Sequence, residues 1–206
     1  MVYNYFGGAM YFLYDSIYSY SEDEYLSFYQ NLSIRDKARV DLLVRCHDKR
    51  LFLLSRMLLS KLSLQYYSCN YFNLPIYYNE YGKPLTDKFY FNISHSHDYA
   101  IVACSNNRIG VDIEKIRSVD DKMINYFCND KEKEYVLKSK DRNKAFFTIF
   151  CLKEAFFKMV GTSIRNFSDI EFTFHGDKIL CSSQNISITI QYELLGYVFI
   201  IIEEKC

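Results

Sequence analysis

The alternation of apolar and polar positions changes period several times along the chain, and each change predicts an element. Val111, Asp112, Ile113 and Glu114 alternate with the two-residue period of a strand, which extends over Ile109–Glu114. The same reading gives strands at Tyr11–Tyr14, Ile76–Tyr78, Tyr90–Ser94 and Tyr99–Ser105, and in the tail at Asp169–Phe174, Ile186–Leu194 and Tyr197–Ile202. Helical spacing covers Glu22–Gln30, Ile34–Arg45, Asp120–Phe127, Asp130–Lys138 and Arg142–Met159. Lys49–Leu64 is apolar nearly all round, which predicts a buried helix. Asn106-Asn107 reads as a turn. Each half thus runs helices first and strands after. The expectation is an α+β protein of two units of about equal size, 1–107 and 108–206. Two prolines and seven glycines leave no visible linker, so the units should share an extensive interface.

Composition narrows the picture. The chain has 206 residues, half of them hydrophobic, enough for one good core or two small ones. Lys+Arg and Asp+Glu balance at 25 each, which gives no support to nucleic-acid binding. Between Asn31 and Gln65 eight Lys or Arg stand against three Asp. That local excess suits an anionic small ligand or an acidic protein surface, or else a solvated helix face. Seven cysteines at wide spacings, without a C-x-x-C pair, predict a reducing compartment, the cytoplasm, and argue against zinc or a disulfide framework. The first residues carry no basic, apolar leader, and no apolar run approaches the roughly 18 residues that span a bilayer. Neither a signal peptide nor a membrane helix is expected.

The candidate chemistry lies in two stretches about forty residues apart. Asp112 and Glu114 fall on one face of their strand, where two carboxylates repel each other unless a cation, a proton or open water intervenes. Glu154 adds a third carboxylate on a long helix, between Lys153 and Lys158. Read alone, these are solvated strand-end acids and a surface Glu–Lys pair four residues apart. Read together, they are the groups that Mg²⁺-assisted phosphate chemistry requires.

Four blocks in order resemble the signature of the 4′-phosphopantetheinyl transferases, in the long, surfactin-synthetase-activating form. They are Asp48-Lys49-Arg50 opening an apolar helix, Tyr81-Gly82-Lys83-Pro84 followed by Phe91-Asn92-Ile93-Ser94-His95-Ser96, Asp112-x-Glu114, and Lys153-Glu154-Ala155-x-x-Lys158. The resemblance runs from about Ile34 to Gly161. It implies an α+β pseudo-dimer with coenzyme A in the cleft between two similar halves. It implies transfer of the 4′-phosphopantetheine arm from coenzyme A to a serine of an apo acyl or peptidyl carrier protein, with release of 3′,5′-ADP, serving polyketide, nonribosomal peptide or fatty acid synthesis. Asp112, Glu114 and Glu154 would be the Mg²⁺ ligands. Glu154, Lys158 and Glu132 would be catalytic, Glu132 by helping to deprotonate the serine. Arg39, Arg50, Lys83, Ser94, His95 and Lys158 would bind coenzyme A, with backbone groups of the Gly82-Lys83 turn free to meet it. Lys153 would play a supporting role or be a plain surface lysine. The family analogy suggests a monomer.

The chain departs from the pattern in two places. Phe150 stands where the family usually has tryptophan, and Asp36 stands where a lysine is expected, between Arg35 and Lys37. Two other readings stay open: a non-catalytic protein that keeps the coenzyme A or carrier surface, and an unrelated Mg²⁺-dependent phosphohydrolase.

Overall fold

The computed structural model describes residues 2–4, 10–161, 167, 170–175, 178–181, 186–191 and 196–205. Contacts divide the chain into two compact units, Met1–Asn106 and Asn107–Cys206. Each has its own hydrophobic core.

The first unit runs β1 (Val2–Asn4), β2 (Tyr11–Ser16), α1 (Glu22–Gln30), α2 (Ile34–Leu42), α3 (Cys46–Tyr67), β3 (Tyr77–Tyr78), β4 (Pro84–Leu85), β5 (Tyr90–Ser96) and β6 (Tyr99–Ser105). Its main sheet is antiparallel, in the order β1-β2-β6-β5, and β3 and β4 form a separate small hairpin. Leu13 and Ile93 both face Val102 across the ladder. On this sheet lies α3, whose residues from Leu53 to Leu59 are all buried. Its Leu54, Leu59 and Leu62 are fully buried, and each such leucine contributes about 1.5–3 kcal/mol. This is the expected buried helix, begun three residues early and carried to Tyr67. Ser68 ends it in the left-handed conformation, φ 52°. α2 stops before Arg45 because Leu43 is already extended, ψ 126°.

The second unit runs β7 (Ile109–Lys115), α4 (Asp121–Phe127), α5 (Asp130–Lys138), α6 (Arg142–Val160), β8 (Phe172–His175), β9 (Lys178–Cys181), β10 (Ile186–Gln191) and β11 (Tyr197–Glu204). The order β10-β11-β7 gives an antiparallel sheet, with β8 and β9 as a separate hairpin. Side chains cap all three helices: Asp120, Asn129 and Asp141 each accept from a first-turn backbone N–H. The strand expected from Asp169 begins at Phe172, and Asp169 itself lies outside the described residues, as do residues 192–194 at the end of the next expected strand. The short strands β1, β4 and β9 carry too little alternation to be expected from sequence.

One position governs how α6 meets β7. A Cβ on Gly110 would collide with the backbone of α6 at the Ala155 carbonyl and at Met159 N. Strand and helix therefore touch backbone to backbone, which only glycine permits. Ala155 and Met159 are the chain neighbours of Glu154 and Lys158. The close approach thus fixes those two side chains against β7.

Candidate active site

Pairing with β11 sets Asp112 opposite Ile200 and Glu114 opposite Val198. Asp112 is 4% exposed. Its Oδ1 accepts a hydrogen bond from Lys158 Nζ at 2.6 Å. Glu114 is less enclosed, and its Oε2 accepts from Arg117 Nη1 at 3.0 Å. Arg117 in turn lies over the Phe147 ring, 4.6 Å from its centre. Glu154 is half-buried. Burial raises its carboxyl above the ordinary range, and the charges of Asp112 and Glu114 add to this against the opposing pull of Lys158. Burial pulls the Lys158 ammonium down, but Asp112's charge and hydrogen bond, with Glu154, outweigh it and hold it above the usual lysine range. Cys151, fully enclosed one turn before Glu154, has its thiol pushed well up by burial first and by Asp112 next. The two motif stretches have thus met: three carboxylates and a lysine share one electrostatic neighbourhood.

Hard oxygen donors whose charges repel one another match Mg²⁺ in chemistry. Their arrangement as it stands is not a ligand cage. Among the described residues no group of three or more His, Cys, Asp or Glu is arranged to hold a metal ion. A cation entering here would have to take Asp112 from Lys158 and Glu114 from Arg117. Since Mg²⁺ uses one or two carboxylates, with waters and substrate oxygens completing its shell, a full cage is not a requirement.

Lys153 is not a surface residue. It is fully buried, and Nζ donates to Phe127 O at 2.9 Å, Phe167 O at 2.9 Å and Glu132 Oε2 at 2.6 Å. Its position about 100° round the helix from Glu154 turns it into the protein. Glu132 is equally buried and completes the N-terminal cap of α5, accepting from Asn129 N at 2.9 Å. With no exposed surface it is out of reach of a carrier serine, against the role in deprotonation that the resemblance implied. Phe150, in the tryptophan's place, packs 5.1 Å from Phe127 and 6.2 Å from Phe167, ring centre to ring centre.

The first unit holds the basic candidates. Arg50 is paired through Nη2 with Glu22 of α1, and its Nε is buried without a hydrogen-bond partner. Lys83 follows Gly82, whose φ of +78° suits glycine. The backbone of that turn is not free for a ligand. Asn79 Oδ1 accepts from Tyr81 N at 3.0 Å and Lys83 N at 2.9 Å, and Asn79 O accepts from Gly82 N at 3.0 Å. Strand alternation sends Ser94 inward and His95 outward, so they lie on opposite faces of β5. Asp36 is buried, its Oδ2 accepting from Tyr71 Oη at 3.1 Å and its Oδ1 from Tyr78 Oη at 3.4 Å. Arg35 and Arg39 both stack on the Tyr78 ring, 4.1 and 4.5 Å from its centre. Sequence reading missed Arg117, Glu22 and Tyr78. Arg117's spacing of three from Glu114 was a usable signal, whereas the other two are tertiary neighbours.

Comparisons with known proteins bear on the same segments. The family model described as "4'-phosphopantetheinyl transferase superfamily" matches residues 108–196, and "4'-phosphopantetheinyl transferase, N-terminal" matches residues 18–107. The 4'-phosphopantetheinyl transferase gsp of Aneurinibacillus migulanus is 37% identical over 57% of this chain and 51% of its own length. Psf-1 of Bacillus pumilus is 34% identical over 40% of this chain and 38% of its own. Sfp of Bacillus subtilis is 33% identical over 41% and 40%. The chain spans about half the length, or less, of these curated relatives. Two adjoining matches to one family, one in each compact unit, place this chain in the 4′-phosphopantetheinyl transferase superfamily.

Proposed function

We propose that this protein transfers the 4′-phosphopantetheine arm of coenzyme A to a serine of an apo acyl or peptidyl carrier protein. The observation that carries the reading is the meeting of Asp112, Glu114, Glu154 and Lys158 in one neighbourhood. In this reaction the serine Oγ bonds to the β-phosphorus of coenzyme A. The bond from that phosphorus to the bridging oxygen breaks, 3′,5′-ADP leaves with the electron pair, and the serine proton is lost.

Asp112, Glu114 and Glu154 would hold Mg²⁺, which when bound neutralises pyrophosphate charge and polarises the phosphoryl oxygens. Lys158, relieved of Asp112, carries its positive charge to the pyrophosphate and to the departing nucleotide. Glu154, whose anion is destabilised by burial and by the charge of Asp112, would gain from a cation placed beside it. Lys153 and Glu132 serve by position: their buried pair holds α5 on α6, and with it the direction of Glu154. Glu132 is assigned this role in place of the base to the serine, since it offers no exposed surface. Arg39, Arg50, Lys83 and His95 are assigned to the nucleotide end of coenzyme A, while Ser94, turned inward on the other face of β5, is left to the strand's packing. Lys83 meets the nucleotide by its side chain, the turn's N–H groups being engaged.

Six free cysteines among the described residues, one of them exposed, support a reducing compartment, here the cytoplasm, and the working form is a monomer. No described helix is long and apolar enough to cross a membrane. Incubation of apo carriers with the protein, coenzyme A and Mg²⁺ tests the reading by mass spectrometry. A phosphopantetheine mass gain is expected. No gain across several carriers, with coenzyme A still bound, would favour the non-catalytic reading.

A further inference from the structure

A cavity of about 360 Å³ lies in the first unit, between β2 and α3. That is near the lower end of the roughly 300–1,000 Å³ of small-molecule sites. No residue assigned above to coenzyme A or to Mg²⁺ lines it. Strand alternation puts Leu13 and Asp15 on one face of β2. Leu58 and Lys61, three apart, share one face of α3. Leu13 and Leu58 are buried and give the cavity an apolar floor, which the exposed Leu64 extends at the rim. Tyr20 adds a wall. Its ring stands edge-on to Tyr25 with 6.0 Å between centres, and the buried Tyr25 Oη donates to Ile17 O at 3.0 Å. The core thus holds that wall in place.

Two opposite charges line this cavity without pairing with each other. Lys61 Nζ donates to Tyr20 Oη at 2.6 Å, a neutral acceptor, and keeps its other N–H donors. Among the described residues no carboxylate lies within ion-pair distance of Lys61. Glu24 acts on it only from farther away, with its Oε2 accepting from Ser21 N at 2.8 Å and Ser21 Oγ at 3.0 Å. Asp15 Oδ1 accepts from Ser16 N at 2.8 Å and from Ser19 Oγ. Those bonds orient the carboxylate and engage one of its two oxygens. No described cation lies within ion-pair distance of Asp15. A ligand of a single charge would satisfy one of these groups and bring its like charge to the other. A zwitterion satisfies both, and an apolar body between its charges or beside them covers the leucine floor.

We infer that this cavity binds a small zwitterion with an apolar side chain, a free α-amino acid or a dipeptide. Asp15 takes the ammonium group, Lys61 the carboxylate, and Leu13 and Leu58 the side chain.

Nuclear magnetic resonance titration of the isotope-labelled full chain tests it, with L-leucine and leucyl-leucine as probes. Saturable shifts are expected at the backbone amides of Asp15, Tyr20 and Lys61. L-leucinamide lacks the carboxylate and N-acetyl-L-leucine lacks the ammonium group. Each should bind about threefold to tenfold more weakly than L-leucine. Lys61→Met should erase the difference between leucine and leucinamide. Asp15→Asn should erase the difference between leucine and N-acetyl-leucine. Tighter binding of leucyl-leucine than of leucine would assign the dipeptide, and the reverse the amino acid. A merely apolar groove would treat leucine and its two derivatives alike, which overturns the inference. So does the lack of saturable shifts with both probes up to their solubility, or unchanged discrimination in either folded variant. Circular dichroism checks the fold. Should Asp15→Asn disturb the Ser16–Ser19 turn, Lys61→Met, at an exposed position, decides in its place.

Discussion

Lys158 Nζ lies 2.6 Å from Asp112 Oδ1, on the oxygen that a metal ion would claim. On the proposed function, a lysine in that position would compete with the cation it later assists. Lys158→Met should therefore strengthen Mn²⁺ binding in the absence of coenzyme A, by roughly threefold to tenfold once partial solvent screening is allowed for. On the proposed function it should also lower kcat for transfer at every salt concentration, because a contact of Lys158 with the pyrophosphate would grow in the transition state. Electron paramagnetic resonance of bound Mn²⁺ reads the first effect directly. Equal or weaker Mn²⁺ affinity in the variant would remove Lys158 from the metal's place.

A pH dependence follows from Glu154. Its folded-state carboxyl titrates above the ordinary value of 4.5, chiefly through burial and next through Asp112. The folded chain then holds that proton more tightly than the unfolded chain, so metal-free stability falls as pH rises from 4.5 through the folded value. Above it the cost is fully present. Thermal melts of Glu154→Gln and wild type across that range should diverge, the variant losing this slope. Saturating Mg²⁺ should flatten the wild-type curve. Parallel curves would show that Glu154 is not destabilised as an anion.

The elements were legible because their patterns are strong. Strict alternation at Val111–Glu114 and the apolar run of α3 left little choice, and the motif stretches carried the carboxylates with them. Burial of polar groups was not legible. Lys153 read as a supporting or plain surface lysine and Glu132 as a catalytic carboxylate, because a charged residue on a helix is seldom fully buried, and only the packing of α5 against α6 gives each its partner. Asp36 read as a gap in a basic cluster. That it is turned inward to Tyr71 and Tyr78 depends on contacts 35 and 42 residues away.

The Lys153–Glu132 pair should matter to stability more than to chemistry. Both side chains are fully buried, and losing one partner of such a pair costs about 3–5 kcal/mol. Lys153→Met should lower the denaturant midpoint sharply. Glu132→Gln keeps the cap to α5 and should be milder, with kcat per folded molecule within about tenfold of wild type. A larger loss of kcat in a fully folded Glu132→Gln, on the scale of about 10²–10⁴ for a lost acid–base group, would return Glu132 to the role of base.

Arg50 offers a test of the nucleotide end. Arg50→Ala should raise KM for coenzyme A by roughly tenfold, and for dephospho-coenzyme A much less. Glu22 is its partner in the ligand-free protein, and a surface pair of this kind is weak. Glu22→Gln should therefore lower KM for coenzyme A by about twofold. Initial rates with both substrates decide. Equal changes for the two would make Arg50 a structural residue of α1 and α3.

Gly110 carries no charge and touches no proposed ligand, yet the distance between Asp112 and the Glu154–Lys158 turn is set by the hydrogen atom it has for a side chain. A chain with alanine there would keep every motif residue and pass any inspection of its signature. Its carboxylates would nonetheless stand farther apart by whatever the methyl group demands. Intact motifs are thus a necessary sign of activity in such a protein, and the silent glycine between them is the dimension that makes the sign trustworthy.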